Sequence, residues 1–123
     1  MAKVIGLGGI FFKARDSKAL AAWYAKHLGL QVDKWSNVKF EEDASRPGFT
    51  LWTPFAADTT YFGPGAQTFM VNFRVDDLDA LLTQLRADGI TVERADDSEY
   101  GRFGWVTDPE GTRVELWEPP AAA

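Results

Sequence analysis

The segment "DPEGTRVELWEPP", residues 108–120, sets a carboxylate, Glu115, between Val114 and Leu116. A carboxylate inside an apolar strand-like run can serve as a general base or as an acceptor for a ligand. Its structural alternative is a buried carboxylate held by a nearby cation, with Arg74, Arg113 and Lys13 as the candidates. Other reactive types are sparse. There is no cysteine, which excludes thiolate chemistry and a disulfide framework. The single histidine, His27, falls in "AKHLG" near a helix end, where a structural role is expected. Five tryptophans in 123 residues suit either the walls of a small-molecule pocket or a subunit interface, and both readings stay open.

The elements that must position Glu115 repeat along the chain. "RDSKALAAWYAKHLGLQV" (15–32) matches "VDDLDALLTQLRADGITV" (75–92), with Asp16 thirteen residues before Gly29 and Asp76 thirteen before Gly89. "TLWTP" (50–54) likewise matches "ELWEP" (115–119). A domain of two similar units is expected, one over about 1–54 and one over about 67–120. Each unit reads strand, helix, then three strands. Asp16 and Asp76 are the expected N-caps, and Gly29 and Gly89 the expected left-handed stops. Leu78, Leu81, Leu82 and Leu85 form the i, i+3, i+4, i+7 stripe of a helix packed on a sheet. Strands are expected in "IGLGGIFFKA", "LQVDKW", "NVKFEE" and "FTLWT", and again in "TFMVNFRV", "ITVERA", "RFGWVT" and "TRVELWE".

Strand alternation then assigns faces. Val71, Phe73, Val75, Val114 and Leu116 suit the helix side. Asn72, Arg74, Glu115 and Trp117 share the opposite, inner face, joined by Phe11 from the first strand and by Phe103 and Trp105. Trp52 takes the place of Trp117 in the first unit, and Arg102 stands at the mouth of a strand. The candidate ligand-binding set is therefore Phe11, Trp52, Asn72, Arg74, Arg102, Trp105, Glu115 and Trp117. Glu115 is also the candidate catalytic base.

A net charge of −5 disfavours nucleic acid, because phosphate binding needs a basic face. No apolar run approaches the ~18 residues of a membrane span, and the N-terminus lacks the pattern of a secretory signal. A cytoplasmic protein with no membrane partner is expected.

The paired units, with "AWYAKHLGL" closing the first helix and "DPEGTRVEL" near the end, resemble the vicinal oxygen chelate superfamily. That superfamily includes glyoxalase I, bleomycin resistance proteins and extradiol dioxygenases. The resemblance implies an α+β fold of two βαβββ units, with cupped half-barrel sheets, helices outside, and a homodimer. In the enzymes it also implies a divalent metal held from four inner-face positions. Those fall here on Gly9, Thr50, Met70 and Glu115. Only Glu115 keeps a ligand type, so no metal and no cofactor are expected. The expected function is metal-independent binding of a small aromatic or cationic molecule in a Trp-lined cavity, in the manner of bleomycin resistance proteins. The alternative is a lyase or isomerase resembling lactoylglutathione lyase, with Glu115 as base or metal ligand.

Overall fold

The structure, a computed structural model, describes residues 2–5 and 7–121. Its elements in chain order are α1 (Ser17–Leu28), β1 (Val71–Arg74), α2 (Leu78–Ala87), β2 (Arg94–Ser98), β3 (Gly101–Thr107) and β4 (Arg113–Glu118). The strands form one mixed sheet in the order β1-β4-β3-β2, with β1 parallel to β4 and the other pairs antiparallel. Residues 71–118 thus run strand, helix, strand, strand, strand, and the overall class is α+β.

Both helices pack on one face of this sheet. Leu78, Leu82 and Leu85 of α2 meet Val106, Val114 and Leu116 in a buried cluster, with Trp23, Tyr24, Leu28 and Phe73 packed at its margin. Each fully buried aliphatic side chain contributes roughly 1.5–3 kcal/mol. Gly104 lets the helix approach: a Cβ there would lie 2.9 Å from Leu82 Cδ2. Asp16 caps α1 by accepting from Ala19 N at 3.0 Å, as expected. The α2 cap is Asp77 rather than Asp76, accepting from Ala80 N at 3.1 Å. The residue that supplies the cap is the one whose extended backbone aims its carboxylate at the first turn, and Asp77 has that conformation. Glu118, at the end of β4, also accepts from Leu78 N at 2.8 Å, which ties the start of α2 to the sheet.

The "DPEG" turn joins the second unit to the helix of the first. Asp108 is buried and accepts from Glu110 N and Thr112 N at 2.9 and 3.0 Å through Oδ1. Its Oδ2 accepts from the Tyr24 hydroxyl at 2.8 Å. Glu110 accepts from Arg15 N and Asp16 N at 2.7 and 3.0 Å. The turn preceding the Glu115 strand therefore grips the start and the middle of α1.

The first unit differs from expectation. Its helix is present, but among the described residues its four expected strands form no ladder, and only an isolated Val32–Val38 bridge appears. Val4, Ile5, Ile10, Phe11, Leu51 and Trp52 stand exposed. β-propensity prepares a segment for pairing, but a ladder exists only where a partner edge is supplied. In the second unit β2 begins later than "ITVERA" suggests, because Ile90 and Val92 pack against the core and pairing with β3 starts at Arg94. Asp96 and Asp97 accordingly lie within β2.

Candidate functional site

The sheet face opposite the helices carries two rows of side chains, set by strand register. Asn72, Glu115, Trp105 and Arg94 are cross-strand neighbours in the first row. Arg74, Trp117, Phe103 and Asp96 form the second. Period-two alternation produces both rows, since every other residue of each strand turns to this face.

Glu115 is the polar centre of the floor and is only 9% exposed. Its Oε1 accepts from Asn72 Nδ2 at 2.7 Å. Its Oε2 accepts from Trp105 Nε1 at 2.9 Å and from the Tyr61 hydroxyl in a very short contact. All three donors are neutral, and none of the ion pairs among the described residues involves Glu115. Arg113 turns instead to Glu93 Oε1 at 3.2 Å and to the Tyr61 carbonyl at 2.9 Å. Arg74 lies against Gly48, where an added Cβ would meet its side chain. Neutral donors thus satisfy this carboxylate without pairing it with a cation.

Around this carboxylate the aromatic rings align. Phe103 and Trp105 stack at 5.9 Å with planes 15° apart, and Phe103 and Trp117 at 6.3 Å with planes 16° apart. Trp105 is 5% exposed and Trp117 8%. Trp117 Nε1 donates to the Tyr100 carbonyl at 2.8 Å, which fixes its ring.

Two side chains from outside the sheet, Phe49 and Tyr61, and one from its edge strand, Arg94, cover this floor. Phe49 lies 5.1 Å from the Trp117 ring. Tyr61 meets Trp105 edge-on at 6.3 Å and stacks on Phe55 at 5.6 Å. The Arg94 guanidinium sits 4.8 Å from the Trp105 ring centroid. Burial, followed by the bond to Glu115, pushes the Tyr61 hydroxyl up to about 12, so it is a donor across the physiological range.

The register therefore brings together Asn72, Arg74, Trp105, Glu115 and Trp117. Phe11 and Trp52 are apart from this cluster, 96% and 77% exposed, because the strands expected to carry them form no ladder among the described residues. Arg102 alternates with Phe103, so it faces the helices and pairs with Asp79 of α2. Tyr61, Arg94 and Phe49 complete the site without being singled out from sequence. The signal for Tyr61 was the aromatic content of the loop between the two units. Arg94 carries no local signal, since its place over Trp105 follows from register alone. The floor is closed by its cover, whereas two hollows lie elsewhere. One of about 390 Å³ lies between Asp97, Arg102 and Pro119, and one of about 320 Å³ between Phe12, Gln67 and Glu110.

The groups around Glu115 do not fit a divalent cation. The Trp105 nitrogen has no lone pair to offer, and Asn72 presents its N–H₂ to the carboxylate. Among the described residues, no group of three or more His, Cys, Asp or Glu is placed to hold a metal ion. No helix among them is long and apolar enough to cross a membrane.

Comparison with known proteins agrees with this architecture. TnmS3, an antibiotic binding protein from Streptomyces sp. CB03234, aligns at TM-score 0.53 and 21% identity, over 85% of this chain and 88% of its own. Lactoylglutathione lyase from Agrobacterium tumefaciens aligns at TM-score 0.53 and 22% identity, over 85% and 87%. A glyoxylase/bleomycin resistance protein/dioxygenase domain from Frankia sp. EAN1pec aligns at TM-score 0.58 and 15% identity, over 98% and 96%. At such identities the likeness is one of fold. A comparison with curated protein sequences gives no match. The glyoxalase-like domain model matches residues 9–117, from before α1 to the end of the Glu115 strand, and the chain belongs to the glyoxalase-like domain family, within the vicinal oxygen chelate superfamily.

Proposed function

We propose that this chain binds a planar aromatic small molecule on the face built around Glu115, without a metal and as a homodimer. One observation carries the reading: a buried carboxylate lies among near-parallel aromatic rings with only neutral hydrogen-bond partners. Burying a charge costs several kcal/mol, and hydrocarbon of the same volume would serve stability better. Aromatic walls around a few convergent polar groups are the composition of a small-molecule site. The cover belongs to loops and an edge strand, so it can move aside while the floor stays ordered. The name of one structural neighbour, an antibiotic binding protein, accords with sequestration of such a molecule.

The exposed apolar residues of the first unit, Val4, Ile5, Phe11, Leu51 and Trp52 among them, support a second copy as the partner. A patch of this kind on a lone chain would invite association. Seating those segments against a second copy's sheet edge would also bring Phe11 and Trp52 into a paired strand environment.

The test is calorimetric titration of untagged, chelator-treated protein with two planar probes, cationic proflavine and neutral acridone, beside native mass spectrometry. Saturable binding by a dimer without metal is the expected result. Binding that appears only after a divalent ion is restored, or no binding of either probe, would overturn the reading.

A lyase-type activity is the second reading, favoured by the Tyr61 hydroxyl placed on Glu115 as an acid beside a base. Glu115→Gln separates the two: a base-dependent enzyme loses turnover, while a binder of neutral ligands keeps most of its affinity.

A further inference from the structure

The ring face of Trp105 already has an occupant. The Arg94 guanidinium lies 4.8 Å from its centroid, within the range of a cation–π contact. Cross-strand register sets the pair, because Arg94 on β2 stands opposite Trp105 on β3. Trp105 is buried beneath while Arg94 is exposed above, so the guanidinium closes one ring face to solvent. At the ring edge, Trp105 Nε1 donates to the Glu115 carboxylate at 2.9 Å, which enriches the indole in electron density and strengthens its attraction for a cation. Beside it, Asp96 accepts from Arg94 Nη2 at 3.1 Å.

We propose that Arg94 is a resident cation holding the place of the ligand's own cationic ring, and that the site takes a planar aromatic cation by exchange with it. This rests on the ligand-binding reading above and narrows it to a charge class. A guanidinium is flat, delocalised and weakly hydrated, so an acridinium, pyridinium or aromatic amidine is its closest chemical substitute. The exchange is like for like. The ligand's cation takes the Trp105 face, Arg94 swings to solvent, and Asp96 is left on the same face to accept from the ligand. β2 is an edge strand with every residue exposed, so this swing breaks no rung of the ladder. A neutral planar ligand gains nothing from replacing the guanidinium and has no use for the two carboxylates.

The experiment titrates wild type, Arg94→Ala and Arg94→Lys with proflavine and with acridone, after thermal melts have shown that each variant folds. Removing a surface cation–π contact and an exposed ion pair that compete with the ligand should tighten proflavine binding about three- to tenfold in Arg94→Ala. Arg94→Lys should fall between the two, and acridone should move less than about twofold by the same reasoning. In the Arg94→Ala background, Asp96→Asn should weaken proflavine again. If Arg94→Ala weakens proflavine or leaves it unchanged, or tightens both probes equally, the resident-cation proposal is overturned while the binding reading stands. If neither probe binds any of these proteins, both fall together.

Discussion

The Tyr61 hydroxyl donates to the carboxylate of Glu115, a bond that joins the loop between the two units to the floor of the second. Burial is the larger cause of the raised Tyr61 pKa and the carboxylate the next. A raised tyrosine contributes stability that is fully present below its unfolded pKa and lost as pH rises through its folded one. The loop should therefore loosen in the alkaline range approaching pH of about 12. Phenolate absorbance followed with pH should show a late-titrating tyrosine that moves downward, but not fully to its ordinary value, in Glu115→Gln.

Glu115→Gln should also cost stability. The new amide keeps Tyr61 and Trp105 on its oxygen only if Asn72 turns its own amide over to accept, and the remaining bonds lose the charge of their acceptor. The expected loss is about 1–3 kcal/mol in denaturant melts. Tyr61→Phe, which leaves Asn72 and Trp105 on the carboxylate, should cost less, about 0.5–1.5 kcal/mol. A Glu115→Gln variant as stable as wild type would contradict this hydrogen-bond arrangement.

The turn at 108–111 should matter beyond its own loop. Asp108→Ala removes two turn amide bonds and leaves the Tyr24 hydroxyl without its acceptor, at an expected cost of about 2–4 kcal/mol. Tyr24→Phe removes only one of these bonds and should cost about 1 kcal/mol. Because the two changes share a bond, the double variant should be less destabilised than their sum, as a double-mutant cycle in urea will show.

Glu110 supplies an acid-side prediction. The amides of Asp16 and Arg15 hold its carboxylate below the usual range. A depressed carboxylate contributes stability that is present above its unfolded pKa and lost as pH falls through its folded one. The tie between the turn and the start of α1 should thus weaken in acid. Wild type should lose more thermal stability than Glu110→Gln between neutral pH and the acid side of the carboxylate range. Parallel losses in the two proteins would remove this tie from the account.

Gly101 has φ of 122°, where a side chain is strained, and an added Cβ would strike the Glu118 carbonyl and the Trp117 nitrogen. Gly101→Ala should destabilise by roughly 1–3 kcal/mol from backbone strain alone. It should also shift the emission of Trp117, whose anchor is the neighbouring Tyr100 carbonyl.

Much of this arrangement is legible in local patterns. The leucine stripe of α2, the Asp16 cap and the alternation in "FMVNFRV" and "TRVELWE" each depend on neighbours a few residues away, so sequence alone determines them. Alternation also suffices to place Asn72, Arg74, Glu115 and Trp117 on one face, because side-chain direction in a strand has period two. The family resemblance was equally readable, since it rests on the order of those elements.

Only the tertiary structure decided what surrounds Glu115. Its partners come from a loop, from a parallel neighbour and from an antiparallel one, at separations of 54, 43 and 10 residues. No local pattern encodes such distances, so the cations expected from proximity in type gave way to Tyr61, Asn72 and Trp105. Pairing partners decided the rest. Strand propensity alone built no sheet among the described residues of the first unit, which leaves Phe11 and Trp52 exposed, while strand register put Arg94 over Trp105 and turned Arg102 toward α2. Propensity and alternation are properties of a segment, whereas register and closure are properties of a pair, and the chemistry of this site is set by the pairs.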